Sequence, residues 1–291
     1  MPERLLICTD LDRTLIPNGA QPESPGARER FALLVDRPDV VLAYVSGRDR
    51  NLVEAAIREY SLPVPDFAIG DVGTTIYRVG AAHAWQRDAA WEQEILRDWN
   101  GRSHRELAQA LADLPDLRLQ EAARQNTCKL SYYLPIEIDT ASISRDVDER
   151  LHSLGVRSRQ IWSLDEVAGT GLLDVLPARA SKLHAIEALM RELGFDSAQT
   201  VFCGDSGNDL EVLASTVPAV LVANATDEVR TEAARLARET GHEDRLYLAC
   251  GNFHEMNGNY AGGILEGIEY YHPGSSARMG FADHELSLIH I

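Results

Sequence analysis

Several short apolar runs constrain this chain more than any other feature: Leu5 to Cys8, Val40 to Val45, Phe67 to Ile69, Leu172 to Leu176, Val201 to Cys203 and Ala219 to Val222. They do not alternate apolar with polar residues. That pattern predicts strands of a parallel sheet covered by helices on both faces. Helical patterns lie between the runs. Ser24-Pro25 reads as an N-cap followed by Pro at the first helical position. Leu52, Val53, Ala56, Ile57 and Tyr60 form one helix face, and Leu183, Ile186, Met190 and Leu193 form another. Strands and helices alternating in this way imply a doubly wound α/β domain with a mostly parallel, Rossmann-like sheet.

The alternation breaks between about residues 78 and 171, a stretch that holds Trp85, Trp91, Trp99 and Trp162. Here the pattern gives a helix (103–114), strands (117–120 and 127–134), a second helix (144–154) and a strand (156–162). This reads as a small inserted α+β cap. Gly169-Thr170-Gly171 reads as the return hinge. The expected division is therefore a discontinuous core, 1–78 and 172–291, with a cap at 79–171. Towards the end, Asn257 to Tyr260 reads as a turn and Ala261 to Tyr271 as a short helix. Leu286 to Ile291 is an apolar run with no partner in the pattern, as in a disordered or added tail.

Charge narrows the partners. With 28 Lys+Arg against 45 Asp+Glu in 291 residues, the net charge of −17 repels nucleic-acid phosphates and anionic membrane surfaces. No run of ~18 apolar residues exists to span a membrane, and the N-terminus lacks the long apolar region of a signal peptide. Cys8, Cys128, Cys203 and Cys250 are widely separated, which reads as reduced thiols rather than disulfides or a zinc site. A cytoplasmic monomer is the expectation.

Four strand ends carry candidate chemistry. The first runs into Asp10-Leu11-Asp12-Arg13-Thr14. In an extended turn both carboxylates point towards one site while Leu11 points away. Such a pair suits covalent phosphoryl transfer, although Asp-x-Asp alone reads as readily as a turn. The second ends in Ser46-Gly47-Arg48 before a helix, which is either a phosphate cradle or an ordinary cap. The run at 172–176 leads to Lys182 in the first turn of a helix, where it opposes the macrodipole unless an anion sits nearby. The run at 201–203 ends in Gly204-Asp205-Ser206-Gly207-Asn208-Asp209, a set of hard oxygen donors suited to Mg²⁺. Their co-occurrence at the strand ends of one sheet outweighs each turn taken singly.

These signatures, in this order and spacing, resemble those of the haloacid dehalogenase superfamily of phosphatases, of the type with a large α/β cap. Within it the chain is most similar to the sucrose-phosphate phosphatase family. That likeness is carried by Leu62 to Asp66, Gly70 to Tyr77, Lys129 to Tyr133, Asp174 to Lys182 and Asn257 to Ala261. Two residues depart from its pattern: Ser46 stands where Thr is usual, and Arg13 where Asn or Gly is common. The resemblance implies an Mg²⁺-dependent sugar-phosphate phosphatase, with sucrose 6-phosphate as the expected substrate. It makes Asp10 the nucleophile and Asp12 the general acid, then base. Ser46 and Lys182 would hold the phosphoryl group. Asp10, the Asp12 carbonyl, Asp205 and Asp209 would form the metal site. Gly47, Arg48, Gln125, Lys129 and Asn208 are the candidate substrate contacts. Lys129 reads equally as an exposed strand residue, and the tryptophans read as cap core more readily than as sugar platforms. A sucrose-phosphate synthase is the macromolecular partner the resemblance allows.

Other readings are a phosphatase for mannosylfructose, glucosylglycerol or mannosylglycerate phosphate, a phosphotransferase, or a non-catalytic domain regulating a synthase. Because the chain is acidic and the expected substrate anionic, the site must reverse the local field. Mg²⁺, Lys182, Arg48 and helix-start N–H groups are the candidates for that task.

Overall fold

The computed structural model describes residues 4–80, 84–165 and 168–281. The chain opens with β1 (Leu5–Thr9), α1 (Ala27–Val35), β2 (Val40–Val45), α2 (Arg50–Tyr60) and β3 (Phe67–Gly70). Next come β4 (Thr75–Val79), β5 (Trp85–Arg87), α3 (Ala89–Leu96), α4 (His104–Ala110), β6 (Arg118–Leu119) and β7 (Leu130–Leu134). They are followed by α5 (Thr140–Ser153), β8 (Ser158–Asp165), β9 (Thr170–Pro177), α6 (Lys182–Leu193), β10 (Thr200–Gly204) and α7 (Leu210–Leu213). The last elements are β11 (Ala219–Leu221), α8 (Asp227–Thr240), β12 (Leu246–Leu248) and α9 (Ala261–Tyr271).

Eight strands form one sheet in the order β12-β11-β10-β1-β2-β3-β4-β5, and four form a second in the order β6-β7-β9-β8. In the large sheet β1 is central and pairs parallel with β2 and β10. The pairs β2–β3, β10–β11 and β11–β12 are also parallel, while β4 and β5 add antiparallel at one edge. Leu5 and Ile7 pack with Phe31, Val53 and Ile264 on one side. Leu6 and Cys8 pack with Trp91, Ile186 and Val212 on the other. Each such side chain adds about 2 kcal/mol of burial, which is why β1 has no polar alternate. The connections diverge on either side of β1, so the carboxyl ends of β1, β2 and β10 border one crevice.

The small sheet also packs on both faces, though its edge strands β6 and β8 are only partly covered. Leu130, Tyr132, Leu173 and Val175 pack with Leu107, Val147 and Leu151 of the cap helices. Ile161 and Leu176 face the other way, into the core cluster.

This arrangement corrects several expectations. The run Leu172 to Leu176 is a strand of the small sheet, paired antiparallel with β7 and β8, and not a core strand. A mainly apolar run, here broken by Asp174, reports packing on two faces and not which sheet owns it. The divisions expected at 78/79 and 171/172 consequently fall short of the sheet memberships: Trp85–Arg87 still extends the large sheet, and Thr170–Pro177 belongs to the small one. Gly169, at φ 61°, lies in the connection between β8 and β9 and is not the return hinge. Helix α1 starts at Ala27 rather than at Pro25, because the Ser24 hydroxyl is engaged by Asn257 across the fold.

The tryptophans take part in packing, and Trp162 also lines a cavity beside Lys182. Trp99 is buried in the cap, Trp91 lies in the core cluster, Trp162 packs against the cap cluster, and Trp85 meets Tyr77 edge-on at 5.7 Å. Cys8, Cys128, Cys203 and Cys250 are free thiols, Cys250 alone among them being exposed. Among the described residues no helix is long and apolar enough to cross a membrane. The run Leu286 to Ile291 lies outside the described residues.

Candidate active site

The end of β1 is tied to its neighbour by the Asp10 N–H, which donates to the Cys203 carbonyl at 2.8 Å. Asp10 is thereby buried at the crevice, and Leu11 points into the core as expected. Next to β1, β10 delivers Asp205 and a tight turn closed by Asp209. Asp209 Oδ2 accepts the N–H groups of Asp205 and Ser206, both at 3.1 Å. Gly204 is required there, because a Cβ would stand 2.6 Å from the Asp209 carboxylate.

Lys182 opens α6, whose N-cap Ser181 accepts the His184 N–H. The Lys182 side chain is buried, and its Nζ donates to Asp10 Oδ1 at 2.9 Å, Asn208 Oδ1 at 3.0 Å and Asp209 Oδ1 at 2.7 Å. The placement that opposes the macrodipole is therefore explained by two carboxylates directly ahead of the helix. Carboxylate oxygens of Asp10, Asp205 and Asp209 all lie within 4.8 Å of one another.

Burial pushes the Asp10 carboxyl up to about 7 against the pull of Lys182, with Asp209 and Asp205 adding to the rise. Burial, then Asp209, raises Asp205 to about 6, while Arg13 and Thr14 oppose the shift. Burial works against the charged form of Lys182, but Asp10 and Asp209 outweigh it and the ammonium is stabilised. Buried, oxygen-only and short of positive charge, this cluster fits a hard divalent cation. Asp209 is the most tightly held of the three: Lys182 takes one of its oxygens and the N–H groups of Asp205 and Ser206 take the other, so it braces the cluster.

Asp12 points elsewhere. Arg48 grips it with Nε to Oδ2 at 2.7 Å and Nη2 to Oδ1 at 2.6 Å, and Asn18 Nδ2 donates to Oδ1 at 2.7 Å. Burial would raise its carboxyl, but the bonds from Arg48 and Asn18 prevail and lower it. Arg48, expected to contact substrate, is thus a partner of Asp12. Ser46 is buried, and its hydroxyl accepts the Arg48 N–H at 3.2 Å. It is not at a helix start: α2 begins at Arg50, capped by Asp49. The expected N–H cradle therefore reduces to the Ser46-Gly47-Arg48 turn, packed beneath Val72.

A cavity of about 260 Å³ adjoins Lys182, lined by Val72, Arg159, Ile161, Lys182, Asn208 and Glu211 among others. Arg159 of the small sheet and Glu211 of the core pair across it at 2.9 Å. Neither was anticipated. Arg159 and Ile161 share the core-facing side of β8, and alternation in a strand does not say which of its two sides meets a site.

Two expected sugar contacts are otherwise engaged. Gln125 accepts the Ser131 N–H and donates to the Gln120 and Ser131 carbonyls, so its amide splints the end of β7. Lys129 is not an exposed strand residue. It is buried, and its Nζ meets Asp71 at 2.8 Å, joining the small sheet to the turn after β3. Asp174 of β9 lies beside it and accepts the Ser131 hydroxyl at 2.5 Å. Lys129→Met, which strands Asp71 without its partner, should lower stability by about 3 kcal/mol. Adding Asp71→Asn, which keeps an amide suited to φ 49°, should recover most of the loss. Urea unfolding of the two variants checks both, and a single-variant loss under about 0.5 kcal/mol would leave the pair without structural weight.

The sequence matches the family model of sucrose-6F-phosphate phosphohydrolase over residues 3–272. A HAD-like hydrolase of Nitrosococcus oceani is 52% identical over 279 residues, covering 96% of this chain and 75% of that protein. The mannosylfructose-phosphate phosphatase of Agrobacterium fabrum is 28% identical, covering 91% of this chain and 96% of its own length. Among solved structures, the sucrose-phosphatase of Synechocystis sp., in complex with sucrose and phosphate, superposes with a TM-score of 0.68 at 27% identity. That match covers 93% of this chain and 98% of the other. The chain spans 60% of the length of the Nicotiana tabacum sucrose-phosphatase it also matches.

Proposed function

This chain belongs to the sucrose-6F-phosphate phosphohydrolase family, and from that premise we propose that it hydrolyses sucrose 6-phosphate to sucrose and phosphate through an aspartyl-phosphate on Asp10. The family makes it a phosphoric monoester hydrolase acting on a sugar phosphate. The observation that carries the finer reading is the contact of buried Asp10 with Lys182 beside a cavity roofed by the small sheet. A nucleophile and its cation meet there under a separate recognition layer.

With Oδ1 held by Lys182, Asp10 Oδ2 attacks phosphorus. The O–P bond forms as the bond to the sugar oxygen breaks, and that oxygen takes a proton from Asp12. Water then attacks the phosphoryl group and returns a proton to Asp12, the Oδ2–P bond breaks, and phosphate leaves. Asp12 in its grip by Arg48 and Asn18 is in the form that accepts a proton, the one required for the second half. For the first half it must release Arg48 and carry a proton, so substrate entry has to loosen that fork. Ser46 positions phosphoryl oxygens, and Asn208 keeps Lys182 in line. Asp10, the Asp12 main-chain carbonyl and Asp205 would hold Mg²⁺, which when bound supplies positive charge to the phosphoryl oxygens. Sugar hydroxyls would meet Arg159 and Glu211, whose planar polar ends suit paired hydroxyls.

Phosphate release should favour sucrose 6-phosphate at least ~10-fold over mannosylfructose and glucosylglycerol phosphates. It should stop with a chelator and return with added Mg²⁺. A flat panel would sink the specific substrate, and full activity in chelator would sink the metal. A mannosylfructose phosphate is the second reading, because the Agrobacterium phosphatase is matched over 96% of its length.

A further inference from the structure

We propose that Arg13 is a resident counter-ion of the metal carboxylates, which a divalent cation must displace to reach Asp205. The proposal rests on the reading of Asp205 as a metal ligand given above.

Both Asp205 oxygens are already engaged. Arg13 Nε stands 3.3 Å from Oδ2, and the Thr14 hydroxyl donates to Oδ1 at 3.3 Å. The three clustered carboxylates divide their counter-charges cleanly. Lys182 serves Asp10 and Asp209, which leaves Asp205 to Arg13. The guanidinium is aimed there by its backbone. Arg13 sits at φ 59°, a left-handed conformation that a residue with a long side chain rarely adopts. Asn18 Oδ1 accepts its N–H at 2.8 Å, and Asn224 Nδ2 donates to its carbonyl at 2.6 Å. Asn224 is buried and is itself fixed by the Tyr260 N–H at 2.8 Å.

The contact is built to be reversible. Arg13 Nε is buried yet makes no well-formed hydrogen bond, so its attraction to Asp205 is ionic rather than directional. Its other guanidinium contact is a long bond, Nη2 donating to the Asn224 carbonyl at 3.4 Å, and the side chain is 41% exposed, with solvent to turn into. A cation that binds Asp205 therefore replaces an existing ion pair instead of filling an uncompensated site, and its affinity is reduced by what that pair was worth.

The test is a calorimetric titration of metal-free protein with MgCl₂, without substrate, for the wild type, Arg13→Asn and Arg13→Lys. Circular dichroism verifies the fold of each. Arg13→Asn, which tolerates the left-handed backbone, should bind Mg²⁺ about fivefold more tightly. Arg13→Lys, which keeps the charge, should stay within about twofold of wild type. Metal-free Arg13→Asn should also gain more in melting temperature from saturating Mg²⁺ than wild type does. Equal or weaker binding by Arg13→Asn overturns the role of Arg13 alone. No binding by any of the three overturns the metal site and the role of Arg13 together, whatever the sugar preference proves to be.

Discussion

Asp10→Asn should remove turnover while leaving the fold in place. The substitution conserves shape, and the amide carbonyl can still accept the Lys182 ammonium that now reaches Asp10 Oδ1 at 2.9 Å. In the mechanism proposed above, what is lost is the attacking oxygen. Removing a nucleophile from an otherwise intact site costs on the order of 10⁴-fold or more in kcat. The effect on stability should be small, within about 1 kcal/mol, for two opposing reasons. Asn ends the penalty of burying a carboxylate, which pushes Asp10 up to about 7. It also removes one of the two anions that hold Lys182, although Asp209 remains at 2.7 Å. Initial rates of phosphate release together with urea unfolding check both halves. Activity within tenfold of wild type would show that another group attacks phosphorus.

Lys182→Met should fail on both counts. Lys182 is almost fully buried between Asp10 and Asp209. Its removal leaves two buried carboxylates without their shared cation, a situation that typically costs about 3–5 kcal/mol. The ammonium is also a fixed positive charge on Asp10, the proposed nucleophile, so kcat should fall by about 10²–10³-fold in whatever protein folds. The two losses should respond differently to metal. Mg²⁺ can neutralise the stranded carboxylates and raise the melting temperature of Lys182→Met by more than that of wild type. It cannot replace a donor fixed at the start of α6. Wild-type stability in the variant would mean that the carboxylates do not depend on Lys182 for charge balance.

Much of this was legible from residue order, and what was not has physical reasons. The doubly wound core could be read because β1 must pack Leu5 and Ile7 on one face and Leu6 and Cys8 on the other. Such a requirement writes itself into sequence as an unbroken apolar run. The same logic misassigned Leu172 to Leu176, since a strand of the small sheet also lies between cap helices and core, with Leu173 and Val175 on one side and Leu176 on the other. Asp10, Lys182, Asn208, Asp205 and Asp209 were foreseen as a group, and they converge because β1, β10 and the start of α6 end at one crevice. Arg48 was read as a substrate contact, but an arginine's partner is set by the tertiary placement of Asp12 and not by the turn that carries the arginine. Gln125 and Lys129 were placed on a plausible cap strand, yet a polar residue there can serve the strand itself, as Gln125 does. Arg159 and Glu211 lie 52 residues apart and meet only through the packing of β8 against α7, which no local pattern records.

The chain returns from the small sheet along β9, which ends at Pro177, and the segment through Ser181 leads directly into Lys182. That connector is pinned at its middle. Asp98, fully buried in the cap, accepts both the main-chain N–H and the guanidinium of Arg179. The consequence is mechanical. A tether so short, fixed to the roof at one end and to Lys182 at the other, has little slack, at most ~3.5 Å per residue. Any large lift of the roof draws either on the Asp98 anchorage or on Lys182 itself, and so loosens the grip on Asp10. Opening to exchange ligands and disarming the proposed nucleophile would then be one movement, with no separate switch needed to keep an open site idle.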